Sequence, residues 1–351
     1  MGGFVLIAPT LAIGRQPERT ARARNCELCG AGDFQLLASR DRQTRPLATA
    51  LCRCCGLIAH RDLPTDEELG DYYADQYRRD YHGEGQPSPR RVLRAWHDGE
   101  AIFHRLKPFV RRHDSVFEIG AGLGCTLKTF ELAGHKATGI DPGAEFQAYS
   151  RQTLRAQVEN LQLADLPPIP SYDVILLVHV IEHFNHPMRA LRHLRNLLRP
   201  GGRLYVECPN IAAPHAAPAR LFHYAHIYNF TSWTLRMMAD CCGLRIIRQF
   251  SRPRDHNLSL LLHKADPRPL VIDPTSYERS LAAVRRYNTL TYHCRPCYAV
   301  ERLQSLYRLA GSRWFARRRV ARLIARFSSN SQCDASSQQT GNLPPLGRRA
   351  A

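Results

Sequence analysis

At 351 residues the chain is long enough for one medium domain with small appendages. Its apolar content of 44% is that of a folded protein, and no apolar run reaches the ~18 residues of a membrane helix, so disordered and membrane-spanning classes are set aside. The net charge of +18 invites a nucleic-acid partner, yet all but four of the 49 basic residues are arginines spread along nearly the whole chain, as a GC-rich genome also produces.

Residues 1–24 read as a disordered leader. The apolar stretch Phe4 to Ala8 is short, lacks a preceding basic residue and is interrupted by Pro9, which makes a poor signal peptide and points to the cytoplasm. In residues 25–60, Cys26-Glu27-Leu28-Cys29-Gly30 and Cys52-Arg53-Cys54-Cys55-Gly56 form two knuckles, each with cysteines three positions apart and a glycine next. That spacing puts two thiolates on one tight turn, and two such turns complete a tetrahedral zinc site with all four positions filled, hence a structural one. Cys26, Cys29, Cys52 and Cys55 are the expected ligands, with Cys54 as the competing choice for the last. Twelve cysteines in a reducing compartment otherwise mean buried thiols, and Cys294-Arg295-Pro296-Cys297 has no partner pair.

Residues 61–110 are expected to be a tyrosine-rich linker (Asp71-Tyr72-Tyr73, Tyr77) followed by a helix over 90–109. Residues 111–266 then alternate apolar strands with helices. The expected strands are 115–119, 137–140, 157–161, 173–180, 203–208, 244–250 and 258–263. The run Val174-Ile175-Leu176-Leu177-Val178 is apolar throughout, as a parallel strand covered on both faces must be. Helices are expected over 125–133, and over 187–198 where Leu191, Leu194 and Leu198 repeat with helical spacing until Pro200-Gly201-Gly202 stops them. Such alternation predicts an α/β fold, a Rossmann-like, mostly parallel sheet with right-handed crossovers. Residues 267–328 read as a basic helical extension and 329–351 as a disordered tail.

The first strand of this unit runs into Glu118-Ile119-Gly120-Ala121-Gly122-Leu123-Gly124 and a helix start, where free N–H groups and glycines let a ligand approach. Its Glu-x-Gly-x-Gly-x-Gly spacing differs from the dinucleotide fingerprint. A carboxylate here repels a pyrophosphate and suits an ammonium group. The second strand ends in Asp141, 21 residues after Gly120, where an acid accepts hydrogen bonds from two ribose hydroxyls.

On these residues, and on Tyr172-Asp173-Val174-Ile175, His179-Val180-Ile181-Glu182-His183, Pro200-Gly201-Gly202 and Val206-Glu207-Cys208-Pro209-Asn210, residues 88–265 resemble the class I S-adenosylmethionine-dependent methyltransferases. The resemblance implies a seven-stranded sheet whose last strand is antiparallel. It also implies S-adenosylmethionine held by Glu118, Gly120, Gly122, Gly124 and Asp141, with Gln162 and Leu163 edging the adenine and His179 touching the nucleoside. With the zinc-ribbon leader, the chain resembles bacterial enzymes of sugar, polysaccharide and secondary-metabolite biosynthesis, which implies a small-molecule or glycan acceptor methylated on oxygen or carbon. Sugar C-methyltransferases there carry a His-Glu-His segment after the fifth strand; here Tyr224-Ala225-His226-Ile227-Tyr228 keeps only the last histidine.

Methyl transfer needs in-line alignment and, for a hydroxyl or carbon acid, a base near neutral pH. His183 and His226 are the catalytic candidates, with Glu182 as a supporting residue. Near the C-terminus Val320, Leu323, Ile324 and Phe327 form a helical stripe, with Trp314 and Phe315 upstream and Arg313, Arg317, Arg318, Arg319, Arg322 and Arg326 around it. It suits packing on the core or on a second subunit, or else a membrane surface near a lipid-linked substrate. Two other readings compete: an RNA methyltransferase gripping nucleic acid through ribbon and arginines, and a non-enzymatic zinc-ribbon interaction protein.

Overall fold

The computed structural model describes residues 25–72, 87–213, 216–295 and 315–325, together with 298, 300, 303 and 327. The expected leader and tail, Tyr73 and Tyr77, Cys297, and Arg313, Trp314 and Arg326 lie outside the described residues.

Three N-terminal strands, β1 (Phe34–Arg40), β2 (Pro46–Cys52) and β3 (Ile58–His60), form an antiparallel ribbon. Seven more build the main sheet: β4 (Ser115–Ile119), β5 (Lys136–Ile140), β6 (Gln157–Glu159), β7 (Tyr172–Val178), β8 (Leu198–Pro209), β10 (Leu244–Gln249) and β11 (Asn257–Lys264). Their order is β10-β11-β8-β7-β4-β5-β6. The pairs within β8-β7-β4-β5-β6 are parallel, whereas β11 is antiparallel to both its neighbours. The chain thus winds outward from β4 to β6 and returns to the other side of β4 as β7. That reversal opens a crevice at the strands' carboxyl ends.

The apolar run of β7 has a direct physical reason. Val174, Ile175, Leu176 and Leu177 are all fully buried, and alternate residues enter different cores: Ile175 and Leu177 on one face, Val174 and Leu176 on the other. Helix Pro187–Leu197 covers the first face with Met188, Leu191 and Leu194. Helix Pro89–Leu106 covers the second, and its Gly99 sits so close to helix Cys125–Leu132 that a Cβ there would lie 2.9 Å from Thr126 Cα.

Pro200-Gly201-Gly202 does not separate helix from strand as expected. The helix ends at Leu197 and β8 begins at once, five residues before Arg203. Tyr172 pairs with Leu198 and Val174 with Arg203, so the Pro-Gly-Gly segment is a bulge inside β8, with Gly201 at φ 74°. The helix expected over 187–198 is present as Pro187–Leu197, and the seven-stranded, mostly parallel sheet with its last strand antiparallel matches the expectation.

A short strand, β9 (Tyr228–Asn229), leaves the main domain and pairs with β3, so the ribbon's sheet contains four strands, one from the far end of the chain's main domain. Helix Ser232–Cys241 and its cap residue Cys242 then pack Leu235, Met238 and Cys242 into the same core as Cys26, Leu28, Cys52, Cys55 and Leu57.

The extension after residue 266 is helical only in part: 265–273 form neither helix nor strand, while Ser276–Arg285, Thr289–His293 and 315–325 are helical. Ser276–Arg285 braces the ribbon, where Tyr277 donates to Gln35 Oε1 (2.5 Å) and Arg53 donates to Tyr277 (3.0 Å). Val320, Leu323 and Phe327 are buried with Val92, Trp96, Leu123 and Phe146, and the Trp96 and Phe327 rings lie 5.2 Å apart. The expected stripe is therefore spent inside the chain, with Arg317, Arg318, Arg319 and Arg322 on the exposed side. No helix among the described residues is long and apolar enough to cross a membrane.

Candidate functional site

The loop leaving β4 turns sharply because Gly120, Gly122 and Gly124 all take positive φ (69°, 52° and 70°). At Gly120 a Cβ would meet Val180 Cγ2 at 2.5 Å. Gly122 has open space, and its N–H donates to Asp141 Oδ2 (2.9 Å). The other oxygen, Asp141 Oδ1, accepts from the Gly143 N–H (2.8 Å). Two backbone amides thereby fix the carboxylate at the end of β5, facing the loop.

Above them lies a cavity of about 790 Å³. One wall is Gly120, Gly122, Asp141 and Phe146; another is Leu161, Gln162 and Leu163; a third is His179, Val180, His183 and Asn185; Leu69 and Gly70 close the roof. Of the residues expected around a nucleoside, Gly120, Gly122, Asp141, Gln162, Leu163 and His179 line this space. Gly124 and Glu118 are not on its walls. Gly124 starts helix Cys125–Leu132, and a Cβ there would strike Ser150 Oγ at 2.6 Å and Ala156 Cβ at 2.7 Å, so its job is close packing of loop against strand.

Glu118 lies beneath the loop, 4% exposed, with Oε2 buried and lacking a hydrogen-bond partner. Burial, reinforced by Asp141 and opposed by the Thr126 hydroxyl, pushes its carboxyl up to about 8.

Sequence reading missed the roof. Helix Asp66–Asp71 is started by Thr65, which accepts from Glu68 N–H (3.1 Å) while Glu68 Oε2 accepts from Thr65 N–H (2.7 Å). This Thr-x-x-Glu capping box was legible as a helix start, but nothing in its pattern tells that Leu69 will cover a cavity. Phe146 carried no signal at all.

Behind the third wall, Glu182 and His226, which do not line the cavity, converge with its His179 and His183. His179, Glu182 and His183 follow β7, and His226 arrives from the segment before β9. Glu182 Oε1 lies 3.4 Å from His179 Nδ1, 3.9 Å from His183 Nε2 and 4.0 Å from His226 Nε2. The His183 and His226 rings meet edge-on with centroids 4.9 Å apart, and His223 lies against His226 at 3.7 Å. His183 Nδ1 is 2.7 Å from the Ala225 carbonyl, so this nitrogen carries the proton and Nε2 presents its lone pair to Glu182 and His226. Burial drives the His183 imidazole below its ordinary value against the opposing pull of Glu182. For His179 burial also acts downward, but Glu182, Glu207 and Asp98 outweigh it and the imidazole ends above its ordinary value.

A polar network backs His179. Asn257 Nδ2 lies 3.2 Å from His179 Nε2 and 3.0 Å from Glu207 Oε1. Glu207 is also held by Arg105 (2.8 Å), Ser259 and Tyr205. Burial would raise Glu207, and the Tyr205 hydroxyl with the Arg105 guanidinium holds it below the usual range.

The cysteine pairs also come together. Cys26 Sγ and Cys55 Sγ are 3.4 Å apart, Cys29 Sγ and Cys52 Sγ are 3.5 Å apart, and all four sulfurs lie within 4.8 Å of one another. Cys55 belongs to this group, whereas Cys54 is exposed. Gly30 N–H donates to the Cys26 carbonyl (2.8 Å) and Gly56 N–H to that of Cys52 (3.0 Å), closing the two knuckle turns.

Residues 90–249 match the family model described as a methyltransferase domain. A 110-residue segment is 33% identical to the hybrid PKS-NRPS synthetase lepA of Aspergillus flavus, over 27% of this chain and 3% of that protein. A 113-residue segment is 31% identical to the tRNA U34 carboxymethyltransferase of Shewanella oneidensis, over 29% of this chain and 34% of that protein. The chain thus spans about a third or less of the length of these curated relatives. Among solved structures, 1,6-didemethyltoxoflavin-N1-methyltransferase of Burkholderia thailandensis superposes with a TM-score of 0.46 at 19% identity, over 67% of this chain and 100% of that one. Residues 90–249 are accordingly a methyltransferase domain.

Proposed function

We propose that this chain transfers a methyl group from S-adenosylmethionine to a small-molecule or glycan acceptor. One observation carries the reading: Asp141, pinned by two backbone amides at the switch point of the sheet, faces an open glycine in the wall of a cavity sized for a small-molecule site.

The residues fit the cofactor. Asp141 stands on the cavity wall at the end of β5, where an acid can meet ribose hydroxyls, Gly122 leaves room where a side chain would intrude, and Glu118 is a buried carboxyl beneath the loop, behind that wall. Gln162 and Leu163 would edge the adenine and His179 the nucleoside. When bound, S-adenosylmethionine supplies an electrophilic methyl on a sulfonium. The protein's part is to exclude water under Leu69 and Gly70 and to take a proton from the acceptor at His183 Nε2 or at His226. His183 is suited to that, because burial keeps it neutral near neutral pH with a lone pair directed inward.

The four thiols fit zinc. Four sulfurs around one ion at about 2.3 Å stand about 3.8 Å apart, near the 3.4 Å and 3.5 Å between the paired cysteines. Bound by Cys26, Cys29, Cys52 and Cys55 and packed in the core, such an ion would be structural.

Calorimetric titration with S-adenosylmethionine tests the reading. Hydrogen bonds to a charged acceptor are worth about 1.5–3 kcal/mol each, so Asp141→Ala should weaken binding roughly a hundredfold or more with circular dichroism unchanged. An unaltered affinity would overturn the assignment, and absence of binding by the parent chain would leave the zinc-ribbon interaction protein. The RNA reading draws on the net charge of +18 and on the tRNA-modifying relative; it predicts salt-dependent retention of RNA, which a small-molecule enzyme lacks.

A further inference from the structure

Glu182 poses a question that its neighbours do not answer. Its side chain is 1% exposed, and both carboxylate oxygens are buried without a hydrogen bond. The surrounding nitrogens stand at 3.4 to 4.0 Å, at or beyond the limit for good hydrogen bonds. A buried, unsatisfied carboxylate is expensive unless something neutralises it.

The nitrogens nonetheless aim at it. His183 is fixed by the Ala225 carbonyl in the tautomer whose Nε2 lone pair faces inward, the arrangement that ligating histidines use. One ligand atom each from Glu182, His183 and His226 lies within 4.8 Å of the other two. Nitrogen and oxygen donors at about 2.0–2.2 Å from a common ion stand roughly 3–3.5 Å apart, so the 3.9 Å and 4.0 Å separations would have to contract by roughly 0.5–1 Å to seat one. His179 completes the surroundings: Asn257 lies against its Nε2, which directs Nδ1–H toward Glu182 Oε1 and orients that carboxylate.

We propose that Glu182, His183 and His226 bind a divalent transition-metal cation beside the cavity; with the ion bound, the two imidazole nitrogens are its ligands and no longer the proton acceptors named above. Two imidazoles and one carboxylate suit manganese, iron, cobalt, nickel or zinc. Three protein donors leave the ion an open position, and one of the three residues, His183, lines the cavity. An acceptor bearing a hydroxyl or carboxylate oxygen would be held there. This acceptor-holding role rests on the methyl-transfer reading, whereas binding of the cation does not. The site differs from the cysteine cluster in donor type, in place and in having an open side.

Cobalt(II) is the probe. The zinc-loaded protein is incubated with excess cobalt chloride, desalted and analysed for both metals. The parent chain should retain one cobalt per chain, with a visible spectrum free of thiolate charge-transfer bands. Glu182→Gln and His226→Gln should both lose it while still binding S-adenosylmethionine, which reports that they are folded. Cobalt retained equally by the parent and by either folded variant, or absent from the parent, overturns the proposal. Failure of the parent to bind S-adenosylmethionine while holding its cobalt would instead strike the methyl-transfer reading and leave the cation site standing.

Discussion

The cysteine cluster and the cavity are two polar constellations in one small protein, and they treat their polar groups in opposite ways. Around the cysteines everything is closed. The turns satisfy their own carbonyls, three of the four sulfur-bearing residues are buried, and the core of helix Ser232–Cys241 packs directly against them. Around the cavity two carboxylates, Glu118 and Glu182, are left buried with unpaired oxygens. Saturated groups hold a fold together. Unsatisfied ones store a cost that a ligand can relieve, which is why stability and function pull apart at such places.

The contrast can be broken first at its closed end. Structural zinc in small knuckle domains is worth on the order of 10 kcal/mol, so stripping it with a strong chelator should melt the ribbon. Hydrogen exchange should then rise across β1–β3 far more than across β4–β7. Equal protection with and without metal would mean that the ribbon's own core suffices.

Glu118 provides the next largest effect, with the opposite sign. Its carboxyl sits near 8 in the folded chain against an ordinary 4.5. Between those two values the folded state keeps a proton that the unfolded state has released, so stability falls as pH rises and the loss is complete above the folded value. A shift of that size corresponds to on the order of 4–5 kcal/mol. Urea midpoints of the ligand-free protein should therefore drop across this window, and Glu118→Gln should flatten the drop while weakening S-adenosylmethionine. A variant with the parent's pH slope would show that Glu118 is not the source.

The smallest test concerns the roof. Thr65→Ala removes a helix cap worth about 1 kcal/mol, enough to loosen Leu69 and Gly70 without touching the walls. The expected result is a few-fold faster release of S-adenosylmethionine with an unchanged melting temperature for the main domain. An unchanged release rate would mean that the roof is not ordered by its cap.

What the sequence made legible follows the same line. The sheet could be read because period and apolarity are local: β7 is apolar along its whole length since both its faces are covered, and Ser115–Ile119 needed no correction. The cysteine pairs could be read as partners because each is a local turn closed by its following glycine. The Pro-Gly-Gly bulge could not, since that tripeptide also ends helices and only pairing with β7 decides between the two. Nor could β9, whose two residues carry no periodicity. His226 was reachable only through likeness to other chains, because 43 residues separate it from His183 and only the return from β8 brings the rings together. Of the expected cofactor residues, Gly124 and Glu118 turned out to stand behind the cavity rather than in its wall, a distinction that spacing alone cannot make.

The pairing of β3 with β9 makes the ribbon a buttress. Asn229 sits opposite Ile58, His60 N–H donates to the Ile227 carbonyl, and the His60 ring bridges Thr49 to the His223 carbonyl. The segment clamped between those contacts is the one that presents His226. A chain lacking only residues 25–60 would retain the walls around Asp141, yet the strip bearing that histidine would lose its moorings. Cofactor affinity and turnover should then part company, the first surviving a truncation that abolishes the second.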